Sequence, residues 1–497
     1  MSLLPQTKAV TAALAFAIAL LMPGICLAAG PAEATWPAPA GFSGWSLSRP
    51  TQSSPKPVLD WETGEGKSYF IPAVEVVGFT AVLNGLDRVF YPESDADGHN
   101  IYATTFKTYW DNVFRHHWEL DTDSFSTNQF SHPYHGTVHY TMARSAGLDF
   151  WESFAYTFGG SLLWETAAET LPPSINDQIA TGLGGPFLGE ALFRMAGLVL
   201  EGGGSRPGPW RELAAAALTI PTGFNRLAFG ERFRPVFPSR GPALSWRLRA
   251  EEGLCMRGES DVSPNAFTVC YQMSYGLPGK PGYGYSRPFD YFDFELNAQP
   301  NQRRTIESVM VRGLLLGEGY RAGSDYRGVW GLYGSYDYIS PKPTRVSSTA
   351  LSLGTTAQWN PARGVTLQGS LSGGAGYGAA GIIPGPGERN YHYGTTFQGL
   401  LALKLIISDR ASAEFSGREY YVSGLAGTNH RGSELVGRWE AGLNFRVYGR
   451  HALGVSYLSS TRDAEYHGLP GASQSSEAYS VTYTFLGDTL FGAVGWE

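Results

Sequence analysis

Three histidines and a group of carboxylates crowd into one stretch of this chain. His132, His135 and His139 stand at i, i+3 and i+7, which places them on one stripe of a helix, and Pro133 suits that helix's first turn. Glu165 and Glu169 lie one turn apart on a second segment, Phe150 to Glu169. Ser174 is a good N-cap for a third, which begins at Asn176-Asp177. If these stripes face one another, imidazoles meet carboxylates. Such a set can bind a divalent metal such as zinc, which takes His and carboxylate ligands. It can equally supply a His/carboxylate acid–base pair for ester hydrolysis, with His132, His135, Glu165, Glu169 and Asp177 as the catalytic groups. A third reading involves no chemistry: buried polar groups must be satisfied. Arg144 and Arg194 then pair with Glu165, Glu169 or Glu190, His139 bonds a backbone carbonyl, and Asn176 joins the same structural network. All three readings stay open at this level.

Two weaker signals are set aside. Glu93 to Gly98 resembles the front of a calcium loop, but Thr104 stands where a bidentate Glu is needed. Ser161 in Gly159-Gly160-Ser161 lacks both the nucleophile-elbow spacing and a preceding strand.

The elements that must position these groups are helical. From about 60 to 230 the apolar period is that of helices: Tyr69–Phe90, Phe106–Trp118, Gly136–Ala146, Phe150–Glu169, Pro186–Glu201, and Pro209–Gly230 broken at Pro221. Tyr69–Phe90 is the most apolar after the N-terminus. Its Glu75, Asn84, Asp87 and Arg88 argue against a membrane span and for a helix buried in protein or lying at a membrane surface.

After about residue 243 the period changes to two. Phe292, Phe294, Leu296 and Ala298 alternate with Asp293, Glu295, Asn297 and Gln299; Leu351, Leu353, Ala357 and Trp359 alternate with Ser352, Gly354, Thr356 and Gln358. Twelve such segments follow one another: 243–256, 266–276, 288–299, 305–320, 326–339, 345–360, 364–378, 391–408, 411–424, 432–448, 451–466 and 475–487. This is the pattern of a sheet closed on itself with its apolar side toward lipid. The polar side reads as mostly Ser, Thr and Gly, which leaves room in the lumen for water or a plug. The last strand's aromatic, Phe485, is followed by a tail ending in Trp496-Glu497.

The N-terminus reads as a secretory signal: Lys8, an apolar run from Ala9 to Met22, a Pro23-Gly24 break, and cleavage after Ala28 or Ala29. Ile25 before Cys26 disfavours lipidation. Cys255 and Cys270 then remain, and a cross-strand disulfide between them is one expectation. A net charge of −7 leaves no nucleic-acid footprint.

Five elements in order carry a resemblance: His132–Gly136, Ala143-Arg144-Ser145-Ala146-Gly147, Gly160–Glu165, Pro173–Asp177 and Gly184–Glu190. Over roughly residues 70 to 200 the chain resembles the bacterial family DUF3943, a domain of unknown function. The resemblance implies an envelope protein of Gram-negative bacteria and brings no activity.

The expected protein is thus α+β and multidomain: a signal peptide (1–28), a flexible linker (29–59), an all-helical domain (60–234), and an antiparallel transmembrane β-barrel of about twelve strands (243–497). It belongs in the outer membrane, with the helices periplasmic or within the lumen. Its partners are outer-membrane lipid and the barrel-assembly machinery. Its role is structural, transport or assembly; the alternative is an envelope enzyme acting on a lipid or cell-wall ester, metal-assisted or not.

Overall fold

The computed structural model describes residues 57–497 except 91, 93, 95–97, 122, 205, 258–264, 301–304, 343, 382–388, 425–430 and 497. The signal-peptide expectation, Cys26, most of the linker and much of the acidic turn at 93–98 lie outside the described residues.

Twelve antiparallel strands close into one barrel, with β1 (Leu244–Arg257) pairing both β2 (Asn265–Tyr275) and β12 (Ala472–Leu486). Between them run β3 (Phe292–Ala298), β4 (Ile306–Ala322), β5 (Tyr326–Ile339), β6 (Val346–Ala362), β7 (Val365–Ala380), β8 (His392–Ile407), β9 (Ala411–Gly424), β10 (Gly432–Tyr448) and β11 (His451–Tyr466). The turns after β4, β6, β8 and β10 are tight. The connections at the opposite end are longer, as in membrane barrels. The alternation works as the sequence pattern requires: in β6, Leu351 and Leu353 are 49% and 67% exposed, while Ser352 between them is 2% exposed.

The lumen differs from the Ser/Thr/Gly expectation. Inward-facing arginines pair with carboxylates: Arg247 with Glu414, Arg249 with Glu440, and Arg312 with Asp293. These strands alternate with Phe, Leu and Tyr as cleanly as the neutral ones, so periodicity alone undercounted charge. At the long-loop end, inward-facing Met310, Ile339, Val346, Tyr420, Val422 and Val436 pack together. At the tight-turn end the residues after β12 fold inward. Phe491 packs on Ile406, Ala452 and Leu486, and Gln358 and Gln368 donate side-chain hydrogen bonds of 2.8 Å to the carbonyls of Val494 and Gly492. A charged cavity of about 220 Å³ remains between the two ends.

The helical part comprises α1 (Phe70–Phe90), α2 (Phe106–Phe114), α3 (His132–Ser145), α4 (Phe150–Ala167), α5 (Ile175–Ile179), α6 (Gly185–Glu201), α7 (Pro209–Leu218) and α8 (Ile220–Phe229). A π-helical turn, Thr127–Ser131, leads into α3, and another, Ala180–Gly184, joins α5 to α6. These helices dock against the outer side of the barrel wall. Outward-facing Gly334 and Tyr336 of β5 and Thr349 of β6 meet Phe187, Gln129 and Gly184. The Phe125 ring stacks on Tyr338 at 5.8 Å. One apolar core joins helix residues Phe130, Phe187, Leu188 and Leu192 to wall residues Phe292, Phe294, Val309 and Val311. These contacts lie on the outer face of the wall, whereas the sequence reading placed the helices in the periplasm or within the lumen. The lumen contacts found come instead from the C-terminal tail.

Among the described residues two helices are long and apolar enough to cross a membrane by length and composition, Phe70–Phe90 and the continuous Ile175–Glu201. The second is 89% buried within the protein and is a core helix; the first is only 22% buried.

The α3–α6 crossing explains why glycine stands at two motif positions. A Cβ on Gly136 would lie 2.1 Å from the Thr181 carbonyl oxygen, and one on Gly185 would lie 2.6 Å from Gly136. Gly136→Ala is therefore expected to destabilise the helical domain by about 1–3 kcal/mol through overpacking. Its thermal transition should fall while the barrel keeps its heat-modifiable electrophoretic mobility. An unchanged transition would contradict this close approach.

Cys270 is a buried free thiol. The ladder sets it opposite Arg249, six positions from the level of Cys255. Six residues of strand span roughly 20 Å, beyond disulfide reach, so the expected Cys255–Cys270 bridge does not form in this register.

Candidate functional site

The site is assembled where two helix starts and one helix end converge. Ser174 caps α5 by accepting from the Asp177 amide, as its residue type suggested. The same Ser174 amide donates to Glu165 Oε2 at 2.8 Å, so the α5 cap is tied to the end of α4. His132 arrives from the π turn that opens α3. Its Nδ1 lies 3.4 Å from Thr181 Oγ1 in the second π turn. Such π segments recur at functional sites because they shift side chains off the regular helical stripe.

The result is compact. One ligand-type atom from each of His132, Glu165 and Asp177 lies within 4.8 Å of the others, with His132 Nε2 3.8 Å from Asp177 Oδ1. Among the described residues no Lys or Arg forms an ion pair with Glu165, Glu169 or Asp177. Burial, reinforced by Asp177 and Glu169, holds the Glu165 carboxyl well above the usual range. Burial and Asp121 do the same to Asp177. Glu169 accepts from the Trp164 indole at 2.8 Å, and burial pushes it up to about 7, with His132 acting in the opposite sense. Three acidic groups thus share a poorly solvated pocket with one imidazole. Such a pocket stays neutral only by holding protons or by holding a cation.

Residues not singled out from the sequence complete it. Asp121 Oδ2 accepts from Asn128 Nδ2 at 2.8 Å, and its amide donates to Asn176 Oδ1. Asn128 also donates to Tyr391 and Tyr393 of the barrel, and Asn176 donates to Asp177 and Tyr393. The buried Asn128 Oδ1 has no protein partner. Asp121 sits in Asp-Thr-Asp-Ser, which reads as a solvated turn. Tyr391 and Tyr393 lie some 260 residues from Asn128, so only the docking of domain on wall reveals them.

The structure separates the other histidines from the carboxylates. His135 packs edge-on against Trp164 and Phe79, and His139 packs against Phe79 beside Gly160. Burial holds His139 down to about 4, and burial with the neighbouring imidazoles lowers His135. Neither His139 nitrogen has a hydrogen-bond partner, so the backbone bond expected for it is not made. Each side chain climbs the helix with its residue, so His135 and His139 stand roughly 4.5 and 10 Å further along α3 than His132.

A second polar cluster is fully paired. Glu190 accepts from Arg144 Nε (2.7 Å), Arg194 Nε (2.8 Å) and the Tyr140 hydroxyl (2.9 Å). Arg194 continues to Asp290 on the barrel at 3.0 Å. Burial alone would raise the Glu190 carboxyl, but the two guanidiniums outweigh it and hold it low. Of the three acids open to the arginines in the sequence reading, both choose Glu190. The contrast assigns roles: this cluster pays its own desolvation cost, whereas the His132–Glu165–Asp177 cluster does not.

Residues 117–221 match the domain of unknown function DUF3943. No curated protein matches the chain. Among solved structures the chain is similar to the NanC porin (10% identity, TM-score 0.27, covering 48% of this chain and 98% of that one). It is also similar to the KdgM porin (6%, 0.22, 48% and 98%) and to a loop-deletion form of OmpT, an outer membrane protein of Vibrio cholerae (8%, 0.21, 49% and 98%). At these scores the likenesses add nothing to what the strand order already shows.

Proposed function

We propose that this protein is an outer-membrane barrel of a Gram-negative envelope that mounts a metal-binding helical domain on its outer wall. In this reading His132, Glu165 and Asp177 hold one divalent transition-metal ion, and the site hydrolyses an ester. One observation carries it: three donor atoms of metal-binding type converge within 4.8 Å, and among the described residues no Lys or Arg pairs with the carboxylates. An imidazole and two carboxylates suit zinc or a neighbouring first-row ion and leave coordination positions for water and substrate. A bound divalent ion lowers the pKa of its water. An ion held there would supply an activated water, and Glu169, whose carboxyl burial pushes up to about 7, would accept that water's proton and return it to the alkoxide leaving group. The barrel then serves as mount rather than conduit. Its lumen is crossed by Arg–carboxylate pairs and occupied by the C-terminal tail at one end.

Elemental analysis of protein purified without chelator tests this. About one zinc, manganese or iron per chain is expected, with Asp177→Asn reducing it at least tenfold. Metal-free protein that takes up none of these ions on titration would remove the reading.

A further inference from the structure

We infer that the cluster is reached from the acyl-chain layer of the membrane, and that its ligand is a lipid with an anionic headgroup. This rests on the metal-site reading for the headgroup, but not for the route.

The route follows from where the helical domain stands. It leans on the same outward face that elsewhere on the barrel shows Leu353, Leu371 and Phe397 to the surroundings. A domain attached there lies in the plane of the bilayer. Its own free surface continues the barrel's apolar exterior. On α1, Phe70, Val82 and Val89 are exposed, and on α8 Leu227 is 86% exposed. Apolar surface of this extent on a domain already joined to a lipid-facing wall calls for an apolar neighbour. The surface available beside a membrane barrel is acyl chain.

The same surface leads to the site. Phe158, Leu162, Glu165 and Glu169 form one stripe of α4 and its end, at i, i+4, i+7 and i+11. The first two are exposed and the carboxylates lie beyond them. Phe158 rests against Gly182, next to the Thr181 that contacts His132. Exposed Ile175 opens α5 two residues before Asp177.

The headgroup follows from the far edge. Glu119 bridges to Ser174, which brings exposed Arg115, His116, His117 and Trp118 beside the α5 start. Arg115, which pairs with Asp111, stands there with two imidazoles and an indole, and this suits the membrane interface, where Trp rings sit at headgroup level and basic groups attract anionic lipid.

Carbodiimides decide the route, because they add a carboxylic acid across the N=C=N bond and leave a stable acylurea. Protein in phospholipid nanodiscs is treated with membrane-partitioning dicyclohexylcarbodiimide or with a water-soluble carbodiimide, and the adduct is mapped by mass spectrometry. Glu165 or Asp177 is expected to react at least tenfold faster with the lipid-soluble reagent, and Glu165→Gln is expected to remove its share. Equal or faster reaction with the water-soluble reagent, or reaction with neither, overturns the route. Zinc added beforehand should protect. Lipid-selective labelling that zinc does not slow would leave the route standing, sink the metal reading and withdraw the headgroup assignment with it. Reconstitution in anionic instead of zwitterionic lipid should slow labelling severalfold; no difference removes the anionic headgroup.

Discussion

Replacing Glu165 with Gln and Asp177 with Asn together is expected to stabilise the metal-free protein at neutral pH while abolishing metal retention. Both carboxyls sit above their ordinary range because burial disfavours the charged forms, with repulsion from Asp177 and Glu169 adding for Glu165 and from Asp121 for Asp177. A carboxyl whose folded pKa is raised contributes its stability in full below the unfolded value. That contribution is lost as pH rises toward the folded one. The metal-free helical domain should therefore weaken as pH climbs from about 4 toward and beyond neutrality. For Glu169 alone, between an ordinary carboxyl and about 7, the loss is on the order of 3 kcal/mol. The amide isosteres keep shape and most hydrogen bonds but cannot ionise, so the double variant should gain about 1–4 kcal/mol at neutral pH and lose the part of the pH dependence these two carboxyls supply, with that of Glu169 remaining. Adding zinc should raise the wild-type transition and leave the variant's unchanged. A cluster kept only for structure behaves oppositely: the substitutions would destabilise the protein, and zinc would not distinguish the two. Thermal scans of both proteins across the pH range, with and without zinc, separate these outcomes.

The alternation from Leu244 onward made the barrel legible, because a period of two exposes one face of every strand whatever its register. That pattern could not say what meets the outward face. Phe292, Phe294 and Leu296 alternate as Leu351 and Leu353 do, yet the first three are buried under helices and the last two are bare. An apolar wall looks the same in sequence whether lipid or protein covers it, so docking outside and plugging inside stayed indistinguishable. The candidate histidine stripe was legible in residue type but not in height. His132, His135 and His139 share a helix face, and only His132 stands level with Asp177. Tyr391 and Tyr393 were out of reach because their role depends on contacts across domains, and Asp121 because its local sequence reads as a solvated turn. The paired cluster was legible in part: two arginines and three acids were visible, and tertiary packing made the choice of Glu190.

That choice sets the other large effect. Glu190→Gln is expected to destabilise the helical domain by about 3–5 kcal/mol, because it leaves two buried guanidiniums short of charge compensation. Arg144 is enclosed by the rings of Trp61, Phe193 and Phe237 and cannot reach water without breaking that packing. Arg194 keeps Asp290 and the Pro288 carbonyl, so the loss falls most heavily on Arg144. The consequence is mechanical as well as energetic. Glu190 on α6 links α3, through Arg144 and Tyr140, to the barrel loop, through Arg194 and Asp290. Weakening it should loosen the domain from the wall, so that protease cuts in the 235–243 connection while the barrel itself stays resistant. Arg144→Met in the Glu190→Gln background should recover a substantial part of the lost stability, since it removes the stranded charge and keeps an apolar side chain among the three rings. If Glu190→Gln melts within about 1 kcal/mol of the parent and the connection stays protected, Glu190 is not the joint between domain and barrel. Metal retention gives an independent readout. Loss of docking removes Tyr393 from Asn176, so zinc affinity should fall in Glu190→Gln although no ligand has changed, and return with Arg144→Met.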